Sequence, residues 1–218
     1  GAARPSTESN HGLSLFVVAR GMAGFERGDN LATRGLKSQD PAELYFNDVK
    51  VPRAHLLGEQ DRGFYHLMHG LAEERLLAAV GFLANAEAAY ALTLDYIGER
   101  KLFGQLLAEL QTTRFKMAEM RTALDVAQAF VDQCVLVHNE GKLSPDDAAK
   151  AKLHTSEVEA MVTDECVQLH GGNGYMDEYA VSRMYTNARI SRIYAGSSEI
   201  MREIIARSLG LDPRKKSG

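Results

Sequence analysis

The stretch Gln168-Leu169-His170-Gly171-Gly172-Asn173-Gly174-Tyr175 places three glycines within four positions, between two segments of helical periodicity. Glycine accepts positive φ angles and lets a backbone approach a ligand without an intervening side chain. The N–H groups of such a turn can bind an anion, most often a phosphate. Glycine content alone also fits a plain connector between two helices. The stretch therefore predicts either a helix connection or a phosphate-binding turn.

Composition narrows the class of protein. The chain has 218 residues, of which 45% are apolar and 25% charged, so it can form one large domain or two small ones. The net charge of −4 argues against nucleic-acid binding. We expect no membrane span, because no run approaches spanning length, and no signal segment in residues 1–10, which lack an apolar centre. The missing initiator methionine suggests a processed or truncated piece.

The first part of the chain, residues 1–60, has the pattern of β structure. Residues 13–18 and 42–49 are strand candidates, and Pro52 follows the second because proline cannot donate to a strand ladder. Residues 21–28 are predicted to be a glycine-punctuated turn, and residues 31–39 a weaker strand or a loop. So few strands leave open edges, so this part must pack on something else.

From about Gly63 the apolar period changes from 2 to 3.6, which predicts helices. Ser144 and Pro145 are typical of an N-cap and a first helical position. The predicted fold is mainly α, an antiparallel helical bundle over residues 61–218 preceded by the β part. The predicted helices cover residues 63–98, 107–138, 145–169, 178–189 and 197–209.

Cysteine and histidine positions give no sign of a metal site. Cys134 and Cys166 lie far apart in helical patterns and are predicted to be small core residues of a reducing compartment. The histidines show no ligand spacing, so we predict that no metal is bound.

Three segments in combination resemble the C-terminal half of the acyl-CoA dehydrogenase family. They are the glycine stretch, the run Arg100-Lys101-Leu102-Phe103-Gly104, and the run Arg192-Ile193-Tyr194-Ala195-Gly196-Ser197-Ser198-Glu199-Ile200. The family fold has an N-terminal helical domain, a middle β-barrel and a C-terminal four-helix bundle. The resemblance therefore implies that residues 1–60 are the last part of the barrel domain and residues 61–218 the bundle.

The resemblance also implies FAD as the cofactor. On the residues alone, Arg100 fits a helix C-terminus, where a cation is favoured, and Gln111 would have no special meaning. In the family, the matching residues contact the flavin, several of them that of a neighbouring subunit. The implied FAD-binding residues are Arg100, Phe103, Gln111, Gln168, Gly171, Gly172, Ser197 and Glu199.

The position of the catalytic base is the most informative departure from the family pattern. Many members carry a glutamate directly after the tyrosine that matches Tyr194, but this chain has Ala195, which cannot accept a proton. A smaller branch, which includes isovaleryl-CoA and long-chain acyl-CoA dehydrogenases, carries the base in a Glu-Arg-Leu pattern on the first long helix of this domain. Glu74 and Arg75 match that pattern, so Glu74 is the implied base.

Charged residues at this point of a helix also fit a plain solvated turn. Helical phase places Glu74 between Leu71 and Leu77, on an apolar-flanked stripe, and Glu73 on a more exposed side. We therefore expect Glu74 to lie in the less polar surroundings, where its basicity rises when substrate excludes water. The implied substrate-binding residues are Leu71, Arg75, Tyr194, Ala195 and Gly196.

The resemblance implies oxidation of an acyl-CoA to the trans-2-enoyl-CoA, with an electron-transfer flavoprotein as acceptor and a homotetrameric dimer of dimers as the assembly. It fits a bacterial cytoplasm or a mitochondrial matrix. Two alternatives remain open at this point. One is an acyl-CoA oxidase-like flavoenzyme, and the other is a non-catalytic helical module for oligomerisation or binding. Without the rest of the barrel, the isolated chain is expected to be impaired.

Overall fold

The computed structural model describes residues 2–3 and 12–212. The chain divides into two compact units, residues 1–71 and residues 72–218. The expectation about a signal segment concerns residues 1–10, which lie outside the described residues apart from Ala2 and Ala3.

The first unit contains short antiparallel strands. β1 (Ala2–Ala3), β2 (Ser14–Phe16) and β5 (Leu56–Leu57) form one sheet in the order β1-β2-β5, and β3 (Phe25–Asn30) pairs with β4 (Ala42–Phe46). Both strand candidates are therefore present in shortened form, and residues 31–39 form a loop.

The prediction of a turn over residues 21–28 is wrong, because β3 begins inside it at Phe25. Pairing with β4 overrides the low strand preference of Gly28 and Asp29. Phe25 lies opposite Phe46, with ring centroids 5.0 Å apart. At Gly28, an added Cβ would lie 3.0 Å from the ring of Tyr45, so glycine makes room for the cross-strand aromatic ring.

The second unit is a helical bundle, as predicted. Its buried core draws on α1, α2 and α3, and α3 packs against α2, α4 and α5. Cys134 and Cys166 are free and buried in this core, as expected. The helices are α1 (Gly63–Glu99), α2 (Gln111–Asn139), α3 (Pro145–His170), α4 (Ala180–Ala188) and α5 (Ser198–Ser208).

The first residue of α3 was predicted correctly, whereas that of α2 was not. α3 begins as predicted, with Ser144 accepting a hydrogen bond from the Asp147 N–H at 3.0 Å. α2 begins at Gln111 rather than Leu107, because a hairpin of β6 (Lys101–Leu102) and β7 (Gln105–Leu106) precedes it, followed by a 3₁₀ turn, Leu107–Glu109. Two-residue strands carry almost no sequence signal, which explains the missed hairpin.

By length and composition alone, α1 is apolar enough to cross a membrane, so the expectation that no run reaches spanning length is wrong. The core helix of a soluble protein passes the same test. α1 places Leu76, Ala79, Leu83 and Ala86 in the core of the bundle.

Candidate functional site

The structure places predicted site residues of the second unit in two separate regions, each of which also contains residues that were not predicted. We call the first the turn cluster, consisting of the predicted Arg75, Tyr194 and Gly196 together with Phe82 and Lys152. We call the second the groove, a cavity of about 670 Å³ whose lining includes Arg100, Lys116, Gln168, Gly171 and Gly172.

Of the Glu73-Glu74-Arg75 segment of α1, only Arg75 belongs to the turn cluster. Arg75 is only 8% exposed, whereas Glu73 and Glu74 are both exposed, so neither glutamate is buried by this chain alone. Burial lowers the pKa of Arg75, and the nearby Glu74 carboxylate opposes this effect. The Nε of Arg75 is buried and has no hydrogen-bond partner among the described residues. Leu71, one turn earlier, is half-buried.

Lys152 of α3 connects this segment to the turn after α4. Its side chain is fully buried, its Nζ donates to the Gly196 carbonyl at 2.6 Å, and its Nζ lies 5.9 Å from the centre of the Phe82 ring. Phe82 in turn packs edge-on against Tyr194, with ring centroids 5.5 Å apart. Burial lowers the pKa of Lys152, which Glu157 and Glu199 raise and Arg75 lowers further. Segments about 120 residues apart in sequence thus meet around one lysine.

The turn itself has an unusual backbone. Ala195 has a φ of 54° and Gly196 a φ of 98°. At Gly196, an added Cβ would lie 2.5 Å from Met201 Cε, so no side chain fits there without movement. Positive φ at a non-glycine residue is strained and persists only when its surroundings hold it. Within residues 12–212, the backbone N–H of Ala195 has no hydrogen-bond acceptor, so it is available to a ligand.

α5 begins directly after the turn. Ser197 is its N-cap, as predicted, and its Oγ accepts from the Ile200 N–H at 3.4 Å. Glu199 is exposed in the first turn, where backbone and Ser197 hydrogen bonds lower its pKa. Ser198 donates to Glu157 of α3 at 3.2 Å. The α5 N-terminus and its two predicted cofactor residues therefore belong beside the turn cluster and not beside the groove.

A buried carboxyl group, Glu159, lies two helical turns from Lys152 on the same face of α3. It is 3% exposed, and its Oε1 accepts from Asn85 Nδ2 at 2.8 Å. Its Oε2 is buried with no partner among the described residues. Burial raises the pKa of Glu159 to about 7, while the neighbouring Ser191 hydroxyl and Asn85 amide lower it less. Glu159 in turn contributes to a raised pKa of Tyr194, which burial causes first.

The groove brings together predicted residues from two distant segments. Arg100, at the end of α1, and Gln168, Gly171 and Gly172, at the end of α3, line the same cavity with Lys116 of α2. Lys116 also forms an ion pair with Glu165. The cationic side chains of Arg100 and Lys116 in this lining suit a phosphate group or another anion.

The three glycines of the stretch have different roles. At Gly171 and Gly172, an added Cβ would meet nothing within 4 Å, so their missing side chains leave the groove wall open to a ligand. At Gly174, an added Cβ would lie 2.4 Å from the Val167 carbonyl oxygen, so this glycine is required for packing. The stretch is both a helix connection and an anion-compatible wall.

Tyr96 holds the glycine stretch through its contacts with His170 and Asn173. The buried ring of His170 stacks on Tyr96 with centroids 4.1 Å apart, and its Nδ1 lies 2.8 Å from the Cys166 carbonyl. Tyr96 Oη donates to the His170 carbonyl at 3.3 Å and accepts from Asn173 Nδ2 at 3.1 Å. Burial lowers the pKa of His170. His170 is thus held as a structural, uncharged ring.

Phe103 and Gln111 do not line the groove but lie beside residues that do. Gln111 is exposed between Leu110 and Thr112, which both line it. Phe103 is 98% exposed at the tip of the β6–β7 hairpin, with a φ of 52° followed by Gly104 at 85°. A bulky residue at positive φ that buries almost nothing has no role in the core, and such outliers cluster at ligand sites.

Lys152 and Glu159 are the functional candidates that sequence reasoning missed. Both stand on the buried stripe of α3 that includes Ala148, Thr155 and Val162. The signal available was a lysine and a glutamate seven residues apart on a stripe of otherwise small or apolar residues. Among the described residues, no group of three or more potential ligands could hold a metal ion.

Comparisons with known proteins identify the family of this chain. The family model described as "Acyl-CoA dehydrogenase, C-terminal domain" matches residues 61–210. The mitochondrial long-chain specific acyl-CoA dehydrogenase of Mus musculus is 45% identical over 209 residues, which cover 96% of this chain and 49% of that protein.

Two solved structures extend the comparison. An acyl-CoA dehydrogenase from Geobacillus kaustophilus matches with a TM-score of 0.93 and 42% identity, over 95% of this chain and 56% of that one. The structure titled "PigA with FAD and proline" matches with a TM-score of 0.92 and 25% identity, over 96% of this chain and 55% of that one. This chain spans about half the length of the curated relatives it matches. On the match of its residues 61–210 to the family model, the chain belongs to the acyl-CoA dehydrogenase family.

Proposed function

We propose that this chain is the C-terminal part of an FAD-dependent acyl-CoA dehydrogenase that oxidises an acyl-CoA to the trans-2-enoyl-CoA. The observation that carries the proposal is the turn cluster, in which Arg75, the neighbour of Glu74 on α1, lies near Lys152, and Lys152 binds the Gly196 carbonyl. Residues 1–60 are the end of a middle β-barrel domain in this proposal. We use the term complete enzyme for the proposed longer polypeptide that contains this chain together with the domains that it lacks.

In the proposed reaction, Glu74 removes the α-proton of the acyl-CoA. Its carboxylate is exposed in this chain and open to a substrate, whereas Ala195 offers no base. The free backbone N–H of Ala195 donates to the thioester carbonyl and stabilises the negative charge that develops there. The buried Arg75 adds positive charge close to the base. The proposed substrate-binding residues also include Leu71, Tyr194 and Gly196.

FAD fits the residues present in this chain. It supplies the acceptor for the hydride that leaves the β-carbon. The groove with Arg100, Gln168, Gly171 and Gly172 suits a pyrophosphate, and the exposed Phe103 and Gln111 are placed beside it. Ser197 and Glu199 stand apart from the groove, at the turn cluster. One chain therefore contributes to two cofactor sites in a homo-oligomer, which we propose to be a dimer of dimers.

The electron acceptor in this proposal is an electron-transfer flavoprotein. The compartment is a bacterial cytoplasm or a mitochondrial matrix, since the similar proteins include bacterial and mitochondrial ones.

An anaerobic titration tests the function. The purified complete enzyme, loaded with FAD, is mixed with acyl-CoA thioesters of several chain lengths while its visible flavin band is recorded. We expect the band to bleach with stoichiometric formation of enoyl-CoA, two mass units lighter than the substrate. Bleaching that reverses rapidly in air with peroxide release would instead identify an oxidase. No bleaching with any acyl-CoA would contradict the proposal.

Arg100→Met tests the groove. Hydrogen bonds to charged groups contribute about 1.5–3 kcal/mol, so the affinity of the complete enzyme for FAD should fall roughly 10- to 150-fold. Arg114→Met is the matched control, because Arg114 is exposed on α2 and does not line the groove. It should bind FAD within about twofold of the unmodified enzyme. Equal dissociation constants for the two variants would remove Arg100 from the cofactor site.

A further inference from the structure

We propose that Lys152 is a positioning residue, whose hold on the Gly196 carbonyl keeps the backbone N–H of Ala195 in place for the thioester carbonyl. This inference rests on the proposed function. The 2.6 Å hydrogen bond from Lys152 Nζ to the Gly196 carbonyl joins the middle of α3 to the turn.

The surroundings of Lys152 do not suit a residue that only fills the core. Its side chain is fully buried, and among residues 12–212 no carboxylate lies within 4.0 Å of its Nζ. The buried Arg75 nearby disfavours its charge still further. Burying an ammonium group without a paired anion is costly, and an apolar side chain would pack here more favourably. The presence of a lysine is therefore explained by the acceptor that it reaches, the Gly196 carbonyl of the turn.

The turn needs such a restraint. Ala195 is held at a φ of 54°, and the carbonyl that Lys152 binds belongs to the next residue, Gly196. A hydrogen bond from the Tyr194 N–H to the Ile190 carbonyl, 3.1 Å long, fixes the other side. Without Lys152, Ala195 is free to return to negative φ, which reorients the peptide planes on both sides of it. The N–H would then lose its direction while the rest of the bundle stays folded.

α3 makes further contacts with the same part of the chain, which supports a positioning role for this helix. Glu157 accepts from Ser198 and pairs with Arg192 at 3.1 Å. Glu159 lies beside Ser191. Lys152 and Glu157 of this helix thus anchor residues 192–198, and Lys152 is the one that binds at the strained turn.

The variant Lys152→Met keeps most of the bulk of the side chain and removes the donor. Lys150→Met is the matched control, since Lys150 pairs with Asp146 and Asp147 at the start of α3 and does not contact the turn. Two readouts are needed in the FAD-loaded complete enzyme. One is hydrogen–deuterium exchange of the amides of residues 193–197. The other is exchange of the α-protons of an acyl-CoA whose β-carbon is replaced by sulfur, which cannot lose a hydride.

In Lys152→Met, we expect amides 193–197 to exchange at least tenfold faster, and α-proton exchange to fall roughly 100-fold, because a small misplacement of a catalytic group costs about that factor. FAD and acyl-CoA affinity should stay within about threefold, since uniform binding is retained. Lys150→Met should match the unmodified enzyme in every readout. Unchanged amide exchange and α-proton exchange in folded Lys152→Met would overturn the inference.

Two further outcomes are distinguishable. If the unmodified enzyme does not exchange the α-protons, the proposed function fails, and the amide exchange of residues 193–197 alone decides whether Lys152 holds the turn. If Lys152→Met does not fold, Lys152→Gln takes its place, because its shorter neutral chain does not reach the Gly196 carbonyl. The same two results then support or overturn the role of Lys152.

Discussion

Replacing Glu74 by glutamine should reduce the turnover of the complete enzyme by about 10³- to 10⁴-fold, the upper range for loss of a general base. Glutamine has nearly the same shape and cannot take a proton, and Ala195 offers no substitute. Because Glu74 is exposed on α1 and forms no ion pair within the described residues, the fold should not depend on its charge. Single-turnover bleaching of the flavin under anaerobic conditions measures the effect on the chemical step.

Glu73→Gln is the matched control for this prediction. Glu73 neighbours Glu74, has the same charge and is also exposed, but it points in a different direction around the helix. We expect its turnover to remain within about twofold of the unmodified enzyme. FAD and acyl-CoA affinity should be retained in both variants. A Glu73→Gln enzyme as slow as Glu74→Gln would show that the segment contributes charge and not a specific base.

Glu159→Gln should stabilise the protein at pH 8 and change little at pH 5. Burial raises the pKa of Glu159 in the folded state from 4.5 to about 7, so the unfolded state loses its proton first as pH rises. The stability therefore falls as pH rises from about 4.5 to 7, and the full cost of burying the charge is present above pH 7. The difference of the two pKa values corresponds to roughly 3 kcal/mol.

Glutamine avoids this cost because it stays neutral, and its Oε1 can still accept from Asn85 Nδ2. The free energy of unfolding in urea, measured at pH 5 and pH 8, reports the effect. Glu140→Gln is the control, because Glu140 is exposed after α2 and its charge is solvated. An equal change in stability at the two pH values for Glu159→Gln would contradict the proposed raised pKa.

Much of the bundle could be predicted because its signals are local. Ser144 and Pro145 specify the start of α3, and a 3.6-residue period specifies α1, α2 and α3 over many turns. The hairpin around Phe103 and the strand from Phe25 were missed, because two-residue strands and glycine-containing strands depend on their pairing partners.

The candidate site could be predicted only at positions whose residues match the sequence motifs of the family. The groove residues Arg100, Gln168, Gly171 and Gly172 carry that pattern and do line one cavity. Lys152 carries no such pattern. Its role depends on a contact 44 residues away in sequence, which no periodicity can reveal. The exposure of Glu74 could not be predicted from helical phase either. Phase gives the direction of a side chain around its own helix, but not which neighbouring segments cover that side.

The most direct test is to move the catalytic carboxylate from position 74 to position 195. In the complete enzyme, Glu74→Gln is combined with Ala195→Glu, and the rate of anaerobic flavin bleaching by acyl-CoA is compared with that of Glu74→Gln alone. Ala195 already has a Cβ at a φ of 54°, so a glutamate adds no new backbone strain there. We predict that the double variant bleaches the flavin at least tenfold faster than Glu74→Gln alone. A double variant no faster than Glu74→Gln, with FAD and acyl-CoA still bound, would contradict the claim that Glu74 serves as the base because position 195 has none.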